Sequence, residues 1–157
     1  MAGRKWLRKA LSLGGGGVLA AVLGLGILSL LSCRAPQLGV EDGRLLPCPS
    51  SPNCVSSQDP DPEHRIEPIA FSGDADAAWA RPAAVLDEWP RTTTLETEAG
   101  YLRVESKSRV FRFRDDMEFL LDPAASVIHV RAAARAGYSD MGANRRRIEA
   151  IRQAFRE

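Results

Sequence analysis

The chain opens on an apolar run from Ala10 to Leu31 that has no polar face, preceded by Arg4, Lys5, Arg8 and Lys9 and no acidic residue. Residues 34–47 have no periodicity and carry Pro36, Gly39, Gly43 and Pro47, the composition of a tether. A Pro/Ser/Asp-rich loop follows over 48–65, long for a compact domain. Ile66–Phe71 predicts a short extended piece, held to a sheet edge or bulge by Pro68. Asp74–Trp89 brings Ala77, Ala78, Val85 and Leu86 into or near one stripe, as in a helix. Pro82 should kink that helix or open a shorter one.

From Arg91 the period falls to two. Thr92–Thr97 reads as a strand and Ala99-Gly100 as a turn, and Tyr101–Ser108 sets Leu102 and Val104 against Arg103 and Glu105. Val110–Leu121 puts Phe111, Phe113, Met117, Phe119 and Leu121 on one face. Asp122-Pro123-Ala124 turns, and Ser126–Ala134 is apolar at Ile128, Val130 and Ala132. Gly137–Gly142 breaks the pattern. Ala143–Phe155 then reads as a helix with Ile148, Ile151 and Phe155 on one side. The order β-α-β-β-β-β-α predicts an α+β domain, an antiparallel meander of about four to five strands with two helices on one face.

The first 32 residues have the layout of an export signal: a basic start, an apolar middle and a small residue before the cut. Leu30-Leu31-Ser32-Cys33 resembles a bacterial lipobox, in which Cys33 is lipidated and becomes the mature N-terminus. The run is also long enough for an uncleaved span, since a bilayer core needs about 20 apolar residues, and its basic flank would keep that end cytoplasmic. Both readings export the rest of the chain. The boundaries are then a signal or anchor over 1–32, a tether over 33–47 and one domain over 48–157. Arg34 after the cysteine favours the outer membrane.

Removing residues 1–32 from the 157 leaves 125, enough for one domain. The whole chain has 21 basic and 20 acidic residues, and the leader takes four basic ones, leaving a net charge of −3. A mildly acidic exported domain is no general nucleic-acid binder. Cys48 and Cys54 remain as an even pair in an oxidising compartment, across the turn-rich Pro49–Asn53, and predict a disulfide. Neither His64 nor His129 stands at metal-ligand spacing to them, so no metal and no cofactor is expected.

Cys48-Pro49-Ser50-Ser51-Pro52-Asn53-Cys54-Val55-Ser56-Ser57 resembles the opening motif of the domain-of-unknown-function 1499 family. Asp115–Phe119 is similar to its central segment, and Gly137–Arg145 with Arg147–Arg152 to its closing one. The resemblance covers residues 47–157 and implies no established activity. The family usually has serines between two arginines where this chain has Arg131-Ala132-Ala133-Ala134-Arg135.

The candidate chemistry is polar and arginine-rich. Asp115 would share a face with Phe113 and Met117. It then needs either a bulge at Arg114–Asp116 that swings it to water or an arginine on the neighbouring strand. Arg131 and Arg135 share a face with His129, opposite Ile128 and Val130, on the uncovered side of the sheet. Tyr138, Ser139 and Asp140 fall at the strand-to-helix corner. Asp140 or Ser139 there could cap the helix. The same helix start, with Asn144 and Arg145 in its first turn and Arg131 or Arg135 near, would also suit an anion.

Three functions follow as expectations. The first is a non-enzymatic envelope lipoprotein binding an envelope protein or small anionic ligand near Tyr138–Arg145 and the Cys48–Ser57 loop. The second is a hydrolase using Asp116, Asp140 and His129. The third is an assembly protein docking through its arginines.

Overall fold

The structure is a computed structural model that describes the backbone of residues 2–156 and the side chains of residues 16–155. The basic start of the leader and the first residues of its apolar run therefore lie outside the described side chains. In chain order the elements are α1 (Ala2–Leu31), β1 (Val40–Glu41), β2 (Arg44–Leu45), β3 (Cys54–Ser56), β4 (Ile69–Ala70) and α2 (Ala75–Asp87). They continue with β5 (Thr92–Glu98), β6 (Tyr101–Lys107), β7 (Arg114–Asp122), β8 (Val127–Ala134) and α3 (Ala143–Arg156). Among the described residues no helix is long and apolar enough to cross a membrane.

The chain is α+β. Strands β3-β8-β7-β6-β5 form one antiparallel sheet, and β4 joins it against β8 beyond the end of β3. β1 and β2 pair separately as a small hairpin. β5, β6 and β8 lie where the alternation places them, but β7 begins at Arg114 and not at Val110: residues 108–113 form the β6–β7 turn and leave Phe111 exposed. The count of four to five strands falls short because β3 is a three-residue strand inside the Cys48–Arg65 loop, too short to show a period. The hairpin was also missed in the supposed tether, although Asp42-Gly43 is a strong turn signal. Both residues have positive φ (49° and 73°), as a two-residue hairpin turn requires.

One face of the sheet carries Leu102, Val104, Met117, Phe119, Ile128, Val130 and Ala132, all buried. Leu86 from α2 and Ile148, Ile151 and Phe155 from α3 close over it. Asp74 caps α2 by accepting from the Ala77 N–H at 2.9 Å. The helix does not restart at Pro82 but runs past it, with the proline ring buried.

The other face is polar and is not open to solvent. Residues 32–39 run across it and the β1–β2 hairpin continues the cover. The Gly39 N–H donates to Glu118 Oε1 (3.1 Å), and Arg103 Nη2 donates to the Pro36 carbonyl (3.1 Å). The stretch expected as a free tether is docked on the domain.

Candidate functional site

Strand periodicity puts Arg103 and Glu105 of β6, Asp116 and Glu118 of β7, and Arg131 of β8 on the covered polar face, with Arg135 just past the end of β8. Cross-strand register fixes their neighbours: Glu105 stands opposite Asp116, and Glu118 opposite Arg131. Charges on such a face are normally solvated. Here they are buried, so each needs a partner.

Asp116 has four. Arg135 donates from Nε to Oδ2 (2.7 Å) and from Nη2 to Oδ1 (2.8 Å), and Arg103 donates to Oδ1 from Nε (3.2 Å) and Nη2 (3.0 Å). Glu105 pairs with Arg135 (2.7 Å), Lys107 (3.0 Å) and Arg114 (3.3 Å). Burial pushes the Glu105 carboxyl up, but these cations together hold it below its usual range. Glu118 accepts from Arg131 Nη1 (2.9 Å) and the Tyr101 hydroxyl (2.9 Å). Burial outweighs those partners and raises its carboxyl. Tyr101 is raised too, by burial first and then by the Glu118 charge.

A cavity of about 400 Å³ lies between this network and the covering segment. Its wall is Arg131, Arg135 and Asp116 on the sheet side, and Leu31, Arg34, Pro36 and Leu38 on the other. Arg131 is 5% exposed, and its Nε has no hydrogen-bond partner. Five cations (Arg103, Lys107, Arg114, Arg131, Arg135) face three carboxylates (Glu105, Asp116, Glu118), a local positive surplus.

A family model described as Protein of unknown function (DUF1499) matches residues 44–155. The chain belongs to this family. No curated protein and no solved structure matches it. The match takes in every sheet residue of the DUF1499 polar face but begins after residues 31–38, which supply one wall of the cavity.

The residues expected to form one site fall into two groups. Asp116, Arg131 and Arg135 meet on the DUF1499 polar face. Tyr138, Ser139, Asp140, Asn144 and Arg145 lie at the strand-to-helix corner, with separate partners. Asp140 caps α3, accepting from the N–H groups of Gly142 (2.8 Å) and Asn144 (2.7 Å). Asn144 is fully buried and donates from Nδ2 to the Asn53 carbonyl (3.2 Å). Arg145 donates to the carbonyls of Arg65 (2.7 Å) and Glu63 (2.8 Å). Tyr138 and Ser139 are exposed. The corner thus fastens α3 to the Cys48–Arg65 loop, where the expected Cys48–Cys54 disulfide is formed.

No bulge rescues Asp115. It stays on the helix-covered face, 6% exposed, and pairs with Arg147 of α3 at 2.8 Å rather than with a neighbouring strand. Burial keeps its carboxyl above the usual range despite that cation. The hydrolase trio is not assembled. Asp116 is held by arginines and Asp140 by helix N–H groups, while His129 meets Ser57 Oγ (3.2 Å) and, at 3.7 Å, Asp122. Burial lowers the His129 pKa. Ser57, His129 and Asp122 suggest a catalytic order, yet Ser57 is buried and its hydroxyl already accepts the Val130 N–H at 2.9 Å. Neither Ser57 nor His129 lines the cavity.

Sequence reasoning missed Tyr101, Arg103, Glu105 and Glu118. The available signal was sign complementarity between the polar faces of three successive strands, which a solvated face has no need of.

Proposed function

We propose that this protein is an envelope-anchored lipoprotein whose domain binds a small anionic ligand without chemically changing it. The ligand site is the cavity beside residues 34–38. One observation carries the reading: three arginines, Arg34, Arg131 and Arg135, line a cavity of about 400 Å³ in which Asp116 is the one carboxylate among the lining residues. The volume falls in the range of small-molecule sites, about 300–1,000 Å³. Apolar walls from Pro36, Leu38 and Ala133, which remain after cleavage before Cys33, suit a ligand with a carbon skeleton behind its charge.

The address rests on the leader. Cys33 is an exposed free thiol between two cavity-lining residues, Leu31 and Arg34. Cleavage before it would remove Leu31 and Ser32 and widen the entrance. The intact mass of membrane-extracted protein, with and without reduction, tests this address. Loss of residues 1–32, a gain of lipid and two extra hydrogens on reduction support it. An uncleaved, unlipidated chain overturns it. Native mass spectra of the same material should show an anionic adduct that Arg131→Gln lacks.

A further inference from the structure

We infer that one end of the domain, formed by the β6–β7 turn and the β8–α3 corner, lies against an anionic lipid surface beside the anchor. The inference rests on the leader being the membrane attachment, by lipid or by span, and not on the cavity.

Beyond α1, the large apolar side chains exposed among the described residues are Val40, Leu95, Val110, Phe111, Tyr138 and Met141. The last four, at 76%, 40%, 75% and 87% exposure, share one end of the sheet. Register places them there. Lys107 pairs with Arg114 where β6 passes into β7, and the Arg135 N–H donates to the Arg114 carbonyl where β8 leaves for the corner. At the opposite end the Ala99-Gly100 and Asp122–Ser126 turns carry no large exposed apolar side chain and are flanked by Glu98 and Asp122.

The chain from the leader arrives at the apolar end. Ser32 Oγ accepts the Arg114 N–H (3.2 Å), and the Ser32 carbonyl faces Arg135 Nη1 (3.5 Å). A span ending at Leu31 meets the domain at these turns through those contacts, and a lipidated Cys33 stands one residue from them once cleavage has removed Ser32. The charge matches as well. Lys107-Ser108-Arg109-Val110-Phe111-Arg112-Phe113-Arg114 has four basic residues and no acidic one. Lys107 and Arg114 are held by Glu105, whereas Arg109 and Arg112 are exposed and in no ion pair among the described residues. The corner's single carboxylate, Asp140, is turned to the α3 N–H groups. Apolar and aromatic tips between free arginines form an interfacial pattern: the rings enter the headgroup boundary while guanidinium groups meet lipid phosphates.

The test uses the full chain carrying the photoreactive residue p-benzoylphenylalanine at Val110, or at Ala124 in the far turn. Each form is reconstituted in vesicles of phosphatidylglycerol and phosphatidylethanolamine, floated and irradiated. The expected result is a phospholipid adduct from position 110 and none from 124. Arg109→Gln with Arg112→Gln should lower the yield at 110 several-fold. A chain that floats but gives no adduct at 110, or equal adducts at both positions, overturns the orientation alone. A chain that does not float overturns the anchor and the orientation with it.

Discussion

Arg135 grips both oxygens of Asp116, Nε at 2.7 Å from Oδ2 and Nη2 at 2.8 Å from Oδ1, a bidentate pair with both side chains almost fully buried. The Asp116 hydrogen bonds are the first of the causes that raise the Arg135 pKa. Removing one member of a buried pair leaves the other charged and unsolvated, at a cost of about 3–5 kcal/mol. Asp116→Ala should lose about that much stability in a denaturant titration. An effect below about 1 kcal/mol would mean that water reaches the face.

Asp115 and Arg147 give a pH test. The Asp115 carboxyl is raised by burial, so the folded state holds its proton more tightly than the unfolded chain. Its contribution to stability therefore falls as pH rises from the ordinary aspartate range through the raised value. Arg147→Met removes the cation that opposes this shift and extends the window upward. Thermal melts should show the variant's deficit growing from pH 5 to pH 7.5. A deficit that is constant or shrinks would contradict the assignment.

The Cys48–Cys54 bond closes a short loop, with a sequence separation of 6. On the chain-entropy argument it contributes about 2 kcal/mol. Replacing both cysteines by serine should lower the melting temperature accordingly. Hydrogen exchange should also speed up at the Asn53 and Asn144 contacts, because Asn53 joins the loop to the corner through Gly137 (2.6 Å) and to α3. Unchanged exchange there would mean that the loop is held without the crosslink.

The sheet and its helices were legible because one face is uniformly apolar: Leu102, Val104, Met117, Phe119, Ile128 and Val130 repeat with period two over strands long enough to count. β3 was not, since its three residues are specified by partners far along the chain, Arg131–Ala133. The site was half legible. Alternation alone put Arg131 and Arg135 on the polar face with His129, and left out that Asp116 meets the arginines there. That this face is covered follows from the docking of residues 32–39, through backbone groups of Gly39 and Pro36 that carry no side-chain signature. Asn144 and Arg145 looked like anion ligands because a helix start offers N–H groups, but their partners are carbonyls of residues 53, 63 and 65.

The measurement closest to the central claim is a calorimetric titration of inorganic phosphate into the full chain and into Arg131→Gln. Arg131 lines the cavity, and a charge-assisted hydrogen bond from its guanidinium to an anion would contribute about 1.5–3 kcal/mol. The account predicts saturable binding to the wild type, weakened about 10- to 100-fold in the variant, with both forms melting as folded proteins. Equal affinities in two folded proteins, or no heat of binding to the wild type, would contradict an anion site at Arg131.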